Sequence, residues 1–325
     1  MNAPDQPALS VILCTSGPFG AIDTTVRHLG EQTTRQQIEL LIVAPDAARV
    51  RPLEERLALL HSWRIVEVGP FHTLAEAKVK ALPFASAPVI AFAEDHSFPE
   101  PGWAAALIEA HREGWTAVAP EMINANPGGL LSWANLFMHF GCSIEPGTRR
   151  EVAVPAASHN TSYKREALLE IRSELPELMN AELFLNQRLR SSGHKCLLEP
   201  AARTRHVNVS RLRPWLNHHW IGGRLYGATR ANLGNWSPLR RLIYIGGSPL
   251  VPPLRLARVR KEIRRTTHAS LFPRLLPALI AGLAVYALGE AMGYLLGLGD
   301  ADVRYAANEL DRQRYVVDRD LAAWS

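Results

Sequence analysis

The chain has 325 residues, 47% hydrophobic and 21% charged, a globular composition that excludes disordered, collagen-like and disulfide-scaffold classes. Three scattered cysteines, Cys14, Cys142 and Cys196, are too few for a disulfide framework or a thiolate metal site and fit a reducing compartment. The net charge of +5 hides an asymmetry: residues 203–274 hold fifteen Arg or Lys against one acid, Glu262, so this stretch is +14, and the remainder, with 21 basic against 30 acidic residues, is −9.

Met1–Ser10 carries Asp5 and two prolines and no basic patch leading into an apolar stretch, so no leader is expected there and the part that follows is expected in the cytoplasm. Four apolar runs of strand length follow: Leu9–Cys14, Ile38–Ala44, Ile65–Val68 and Pro88–Ala93. Continuous apolar runs of this kind predict parallel strands buried on both faces. Asp23–Gln32, Pro52–Ser62, Thr73–Leu82 and Pro101–Glu113 supply crossover helices. The expected class is therefore α/β with a doubly wound sheet, whose ligands bind beyond the carboxyl ends of the strands, here Thr15–Gly17, Ala44–Asp46 and Glu94–His96.

Beyond residue 120 the alternation loosens. Glu121–Arg150 reads as loop and helix, Tyr163–Arg172 and Asn180–Ser192 as helices, and Lys195–Leu198 and Thr204–Val209 as extended. From Arg211 the chain reads as helical and basic, broken by a turn at Gly246–Pro253, and Asp300–Ser325 as an amphipathic surface helix. The basic stretch calls for an anionic partner. No zinc-finger spacing, RNA-binding aromatic signature or basic heptad accompanies it, so nucleic acid is not expected and an anionic membrane surface is.

Leu275–Leu298 is apolar over 24 residues apart from Glu290. As a helix it would be ~36 Å long, enough to cross a ~30 Å hydrocarbon core. Glu290, Pro277 and the many Gly and Ala residues argue against a span, so that a buried helix and one lying in or dipping into the membrane stand beside it as readings. Gly289, Gly293 and Gly297 recur every fourth residue and offer a face to a second helix, including that of a second copy. His218 and His219, with Trp215 and Trp220, read as a membrane-interface belt, as a lipid-facing lip of the site, or as a core-and-rim helix.

The most informative run is AFAEDHSFPEPGW, residues 91–103, where a buried strand ends by delivering Glu94, Asp95 and His96 to the sheet edge. Carboxylates beside an imidazole suit a divalent cation, Mn²⁺ better than Mg²⁺.

With that run the sequence resembles the family-2 glycosyltransferases of the GT-A fold. LSVILCTSG resembles their first strand and turn, IELLIVAPD their second strand, and Ala77–Ala81 their Ala-Arg-Asn-x-Gly helix. Glu94-Asp95-His96 with Pro99 falls on their Asp-x-Asp motif and its proline-bearing turn. HNTSYKREAL resembles an acceptor-side segment and implies acceptor contacts for Asn160, Tyr163 and Lys164. AELFLNQRLRSSGHKCLLEP resembles the helix that carries the general base, in the place of Glu182, and His206 matches a late histidine that reaches the diphosphate or the metal. The resemblance covers residues 8–210. It departs at Ala44-Pro45, where the family has an acidic pair, with Asp46 the nearest substitute; at Lys78, which stands for Arg; and at Ala181.

The resemblance implies a GT-A-like domain over 1–210, its donor half about 1–120 and its acceptor half about 121–210, followed by a helical region, 211–325. It implies an inverting, metal-dependent transfer from a nucleotide-sugar to an acceptor hydroxyl, with Glu182 as base, Thr15, Asp46, Lys78, Glu94 and Asp95 on the donor, and Asp95, His96 and His206 on the metal. The basic and apolar C-terminal features add a cytoplasmic membrane face and a lipid-linked or membrane-proximal acceptor. Two other classes share the same residues: a noncatalytic nucleotide- or glycan-binding module, and another metal-dependent nucleotide enzyme such as a nucleotidyltransferase.

Overall fold

The computed structural model describes residues 6–50, 54–152, 160–310 and 312–321. One mixed sheet contains β1 (Leu9–Cys14), β2 (Ile38–Ala44), β3 (Ser62–Glu67), β4 (Val89–Ala93), β5 (Ser97–Pro99), β6 (Ala117–Asn124), β7 (Arg150–Val152), β8 (Ser162–Lys164) and β9 (Cys196–His206). Its order is β3-β2-β1-β4-β8-β6-β9-β5, with β7 paired to β9. The helices of eight residues or more are α1 (Asp23–Gly30), α2 (Leu74–Ala81), α3 (Trp103–Arg112), α4 (Leu130–Phe140), α5 (Glu182–Ser191), α6 (Leu212–Leu233), α7 (Pro238–Gly247), α8 (Val251–Arg264), α9 (Phe272–Leu296) and α10 (Ala301–Glu309). The chain divides into two compact units, residues 1–123 with 145–206, and residues 124–144 with 207–325.

In the first unit β3, β2, β1 and β4 run parallel, and every residue of β1, β2 and β4 is buried, as uninterrupted apolar runs require. The two polar exceptions pair with each other: Ser10 Oγ donates to Glu39 Oε2 at 2.5 Å, and the backbone N–H groups of Ser86 and Ala87 donate to that same Glu39 oxygen and to Ser10 Oγ. The other half of the sheet is antiparallel. β8 runs against both β4 and β6, so the class is α/β with a mixed sheet. Tyr163, expected at the start of a helix, lies in β8, and the helix begins only at Arg165. Lys195–Leu198 and Thr204–Val209, expected as two extended pieces, belong to one strand, β9, that ends at His206. The expected helix Pro52–Ser62 is short, Glu54–Leu57, because Ser62 already opens β3; Pro52 itself lies outside the described residues.

The second unit is helical. Residues 124–144, expected in the acceptor half, group with it because their amides interlock around Asn208. Asn126 Nδ2 donates to the Asn208 carbonyl at 2.8 Å, Asn135 Nδ2 to Asn208 Oδ1 at 3.1 Å, and Asn208 Nδ2 to Asn124 Oδ1 at 3.1 Å. α6 and α9 pack backbone against backbone. A Cβ on Gly223 would fall on the carbonyl oxygen of Tyr286, and one on Gly289 on that of Trp220, so only glycine permits this approach. The glycine face of α9 is thus taken by α6 of the same chain. Glu290 is buried there; Tyr294 Oη donates to its Oε1 at 2.5 Å, and Arg230 Nη1 stands 3.8 Å away. His218 and His219 are also buried, which makes them part of this interior. Among the described residues one helix, Ala269–Leu296, is long and apolar enough to cross a membrane by length and composition.

Candidate active site

Strand ends build the site. β4 ends at Ala93, and the turn that follows carries Glu94, Asp95 and His96 before β5 begins. Thr25 of α1 holds that turn, its hydroxyl lying 3.2 Å from the Glu94 carbonyl and 3.1 Å from that of Asp95. β5 then pairs antiparallel with the last residues of β9, Ser97 opposite His206 and Pro99 opposite Thr204. Three residue pairs therefore bring His206 beside residues that precede it by more than a hundred positions.

Glu94, His96 and His206 are all buried, and each offers one ligand atom within 4.8 Å of the other two. Glu94 Oε2 is 3.7 Å from His96 Nε2 and 3.6 Å from His206 Nε2. An ion with metal–ligand distances of ~2.1 Å spans up to roughly 4.2 Å between ligands, so both separations suit a shared cation. The expected ligand Asp95 takes a different part: its Oδ1 accepts from His96 Nδ1 at 2.7 Å. A carboxylate can only accept, so Nδ1 carries the proton and Nε2 is turned toward Glu94 and His206. Glu94, expected on the donor, is the carboxylate that stands with the two imidazoles. Two imidazoles and one carboxylate are a softer donor set than a carboxylate pair, which fits Mn²⁺ better than Mg²⁺.

Asn160, expected on the acceptor, belongs to this cluster. It sits at φ 66°, a backbone conformation Asn tolerates better than most residues, and its Nδ2 donates to Glu94 Oε2 at 3.0 Å. Ser97 Oγ donates to the same oxygen at 2.9 Å. The other two expected acceptor residues are not gathered here. Lys164 pairs with Val89, the first residue of β4, and so lies at the opposite edge of the sheet from Glu94; its ammonium is 3.9 Å from Glu166. Tyr163 is fully buried between β4 and β6, its ring centroid 5.9 Å from that of Phe92, and burial raises its hydroxyl pKa well above the usual range. It is a core residue.

Lys78 on α2 and Glu182 at the start of α5 form a buried ion pair, Nζ to Oε1 at 2.6 Å. Burial works against the charge on Lys78, but the Glu182 carboxylate, with Cys14 and Glu94 adding to it, raises the pKa above the ordinary lysine value. Lys78 therefore stays protonated and serves Glu182 directly. The thiol of Cys14, at the end of β1, is pushed up to about 12 by burial and is inert.

Thr15 is buried just past β1 and closes the turn to Gly17, whose N–H donates to its hydroxyl at 3.2 Å. Asp46 lies past β2, where its Oδ1 caps a single helical turn by accepting from Ala48 N–H at 2.9 Å. Both stand at the carboxyl edge of the parallel strands. Thr25 and Ser97 are the residues that sequence reasoning missed. Neither carries a motif signal of its own; only the fold brings them to the turn.

No protein-family model matches the chain, and no curated protein matches it. Solved structures similar to it include GalNAc-T7 with UDP, GalNAc and Mn²⁺, at 16% identity over 62% of this chain and 44% of that one, with a TM-score of 0.47. A mannosyltransferase, PcManGT from Pyrobaculum calidifontis, in complex with GDP-Man and Mn²⁺, is 15% identical over 96% of this chain and 89% of that one, with a TM-score of 0.48. A mycobacterial protein is 13% identical over 70% and 74% of the two chains, with a TM-score of 0.43. The chain spans less than half the length of GalNAc-T7.

Proposed function

We propose that the protein is an inverting, metal-dependent glycosyltransferase that moves a sugar from a nucleotide-sugar to an acceptor hydroxyl. The observation that carries this reading is the buried Glu94–His96–His206 cluster at the carboxyl edge of β4, on a sheet whose parallel half presents Thr15 and Asp46 along the same edge. A divalent cation held there would offset the negative charge that develops on a departing nucleoside diphosphate. Glu182, paired with Lys78, accepts the proton of the acceptor hydroxyl as its oxygen forms the new bond to the anomeric carbon. The bond from that carbon to the diphosphate oxygen breaks on the opposite side, and its electron pair leaves with the diphosphate. Asp95 holds the imidazole of His96 in one tautomer throughout. The membrane attachment argued below makes a lipid-linked acceptor the natural corollary.

A panel of nucleotide-sugars incubated with the full chain and Mn²⁺ tests the reading. Release of nucleoside diphosphate, faster when a hydroxyl acceptor is supplied, is the expected result. Release of monophosphate or pyrophosphate would assign the site to a nucleotidyltransferase instead, and saturable binding with no release to a noncatalytic binding module.

A further inference from the structure

The helical unit carries an apolar surface that its own interior does not use. On α7 the side chains Leu239, Leu242 and Ile243 follow the i, i+3, i+4 spacing of one helix face and are 69%, 59% and 63% exposed. The adjoining turn and the start of α8 add Leu250 at 64% and Leu254 at 69%. Five large aliphatic side chains within sixteen residues form a patch, whereas isolated surface leucines are ordinary. The other side of α7 is fixed: Tyr244 and Ile245 pack against Trp236 and Tyr294. The helix is also preformed, since Ser237 accepts from the Arg240 N–H as its cap and Pro238 opens its first turn.

The charge around this patch is predominantly basic. Arg240 is exposed, and its guanidinium lies 4.5 Å from the centre of the Trp236 ring. Arg258, Arg260, Lys261 and Arg264 are exposed along α8, and Glu262 is the one acid from residue 203 to 274. Aliphatic side chains bordered by exposed arginines match the depth profile of a lipid headgroup region. A span by α9 does not fit the same structure. α9 is locked backbone to backbone onto α6, and α6 would bring Arg213, Arg224 and Arg230 with it into hydrocarbon.

We infer that α7, the following turn and the start of α8 form a monotopic membrane-docking surface, in which Leu239, Leu242, Ile243, Leu250 and Leu254 enter the acyl boundary of an anionic phospholipid bilayer while the neighbouring arginines hold its headgroups. The inference is independent of the reading of the active site. It moves the apolar contact from the 275–298 stretch to α7. Attraction to headgroups weakens with salt and aliphatic insertion does not, so binding should be reduced, yet persist, in high salt.

Sedimentation of the full chain with vesicles of phosphatidylcholine alone, and with phosphatidylglycerol added, tests this. The expected result is partition onto the phosphatidylglycerol vesicles that survives high salt in part. The double variant L242E/I243E should bind at least tenfold more weakly, with unchanged circular dichroism and unchanged release of nucleoside diphosphate from a soluble donor. L250E/L254E provides a second, separate disruption. Failure of the wild-type chain to sediment would overturn the inference, as would full binding by both variants or complete loss of wild-type binding in salt. Light scattering that shows a wild-type dimer broken by L242E/I243E would assign the face to a second copy of the chain and overturn it as well.

Discussion

Lys78 Nζ and Glu182 Oε1, 104 positions apart in the chain, meet at 2.6 Å with both side chains almost sealed from solvent. Each charge is tolerated in the interior because the other is there. Replacing the carboxylate by an amide of the same shape keeps the contact and removes the proton acceptor. Glu182→Gln should therefore lower transfer by ~10²–10⁴-fold, the usual range for loss of a general base, with donor affinity nearly unchanged. Initial rates together with calorimetric donor titration check this; full activity would remove Glu182 from the role.

Lys78→Met leaves a buried carboxylate without its counter-charge. Breaking one side of a buried pair costs ~3–5 kcal/mol, so this variant should unfold at clearly lower urea concentration. Lys78→Met combined with Glu182→Leu should recover most of that loss while remaining inactive. Urea titrations of the two variants and the wild type distinguish a paired role for Lys78 from simple packing.

The donor set at Glu94, His96 and His206 predicts that Mn²⁺ supports activity better than Mg²⁺. Asn160 and Ser97 hold the Glu94 carboxylate without being ligands, so Asn160→Ala or Ser97→Ala should weaken Mn²⁺ binding by ~10–100-fold. Electron paramagnetic resonance titration of free Mn²⁺ reads both effects without any substrate. Equal or greater activity with saturating Mg²⁺ would count against the two imidazoles as ligands.

Burial lowers the pKa of His111 to about 4 and that of His219 well below its ordinary value. The unfolded chain binds these protons near pH 6.5 and the folded chain does not, so stability is fully present above pH 6.5 and is lost as pH falls toward 4. For His111 the window is worth roughly 3 kcal/mol. Its ring nitrogens engage the Trp115 carbonyl and Ser162 Oγ, both at 2.8 Å. Urea midpoints measured at pH 7.5 and pH 5 should show the fall, and His111→Gln should reduce it.

Gly289→Leu should destabilise the helical unit by at least ~3 kcal/mol, the upper range for overpacking, because the new side chain would meet the α6 backbone, which cannot move aside as a flexible side chain can. Exposed Leu288→Ala on the same helix should change stability by a few tenths of a kcal/mol. Thermal unfolding of the two variants checks the contrast.

β1 and β2 were legible in the sequence to the residue, since apolar runs with turn residues on both sides leave few other readings. β6 was not, because Pro120 and Glu121 interrupt the apolar pattern of its eight residues. β8 is only three residues long and exists because β4 and β6 flank it; locally, Ser162–Lys164 reads as the start of the helix that follows. At the site the strand end announced Glu94–His96. Which carboxylate faces the histidines was not legible, because that depends on a turn held from α1 by Thr25. Lys164 and Asn160 sit four positions apart in one motif, and the antiparallel register of β8 carries them to opposite edges of the sheet.

The short pairing of β5 with β9 also sets an order of assembly. During synthesis Glu94 and His96 emerge early, together with the parallel strands around them, while His206 follows His96 by 110 positions and reaches them only when β9 docks. A nascent or partly folded chain therefore presents two ligands, and only the finished sheet presents three. Cation capture and docking of the last strand become thermodynamically linked: a bound ion stabilises the edge of the sheet, and an edge that frays releases the ion.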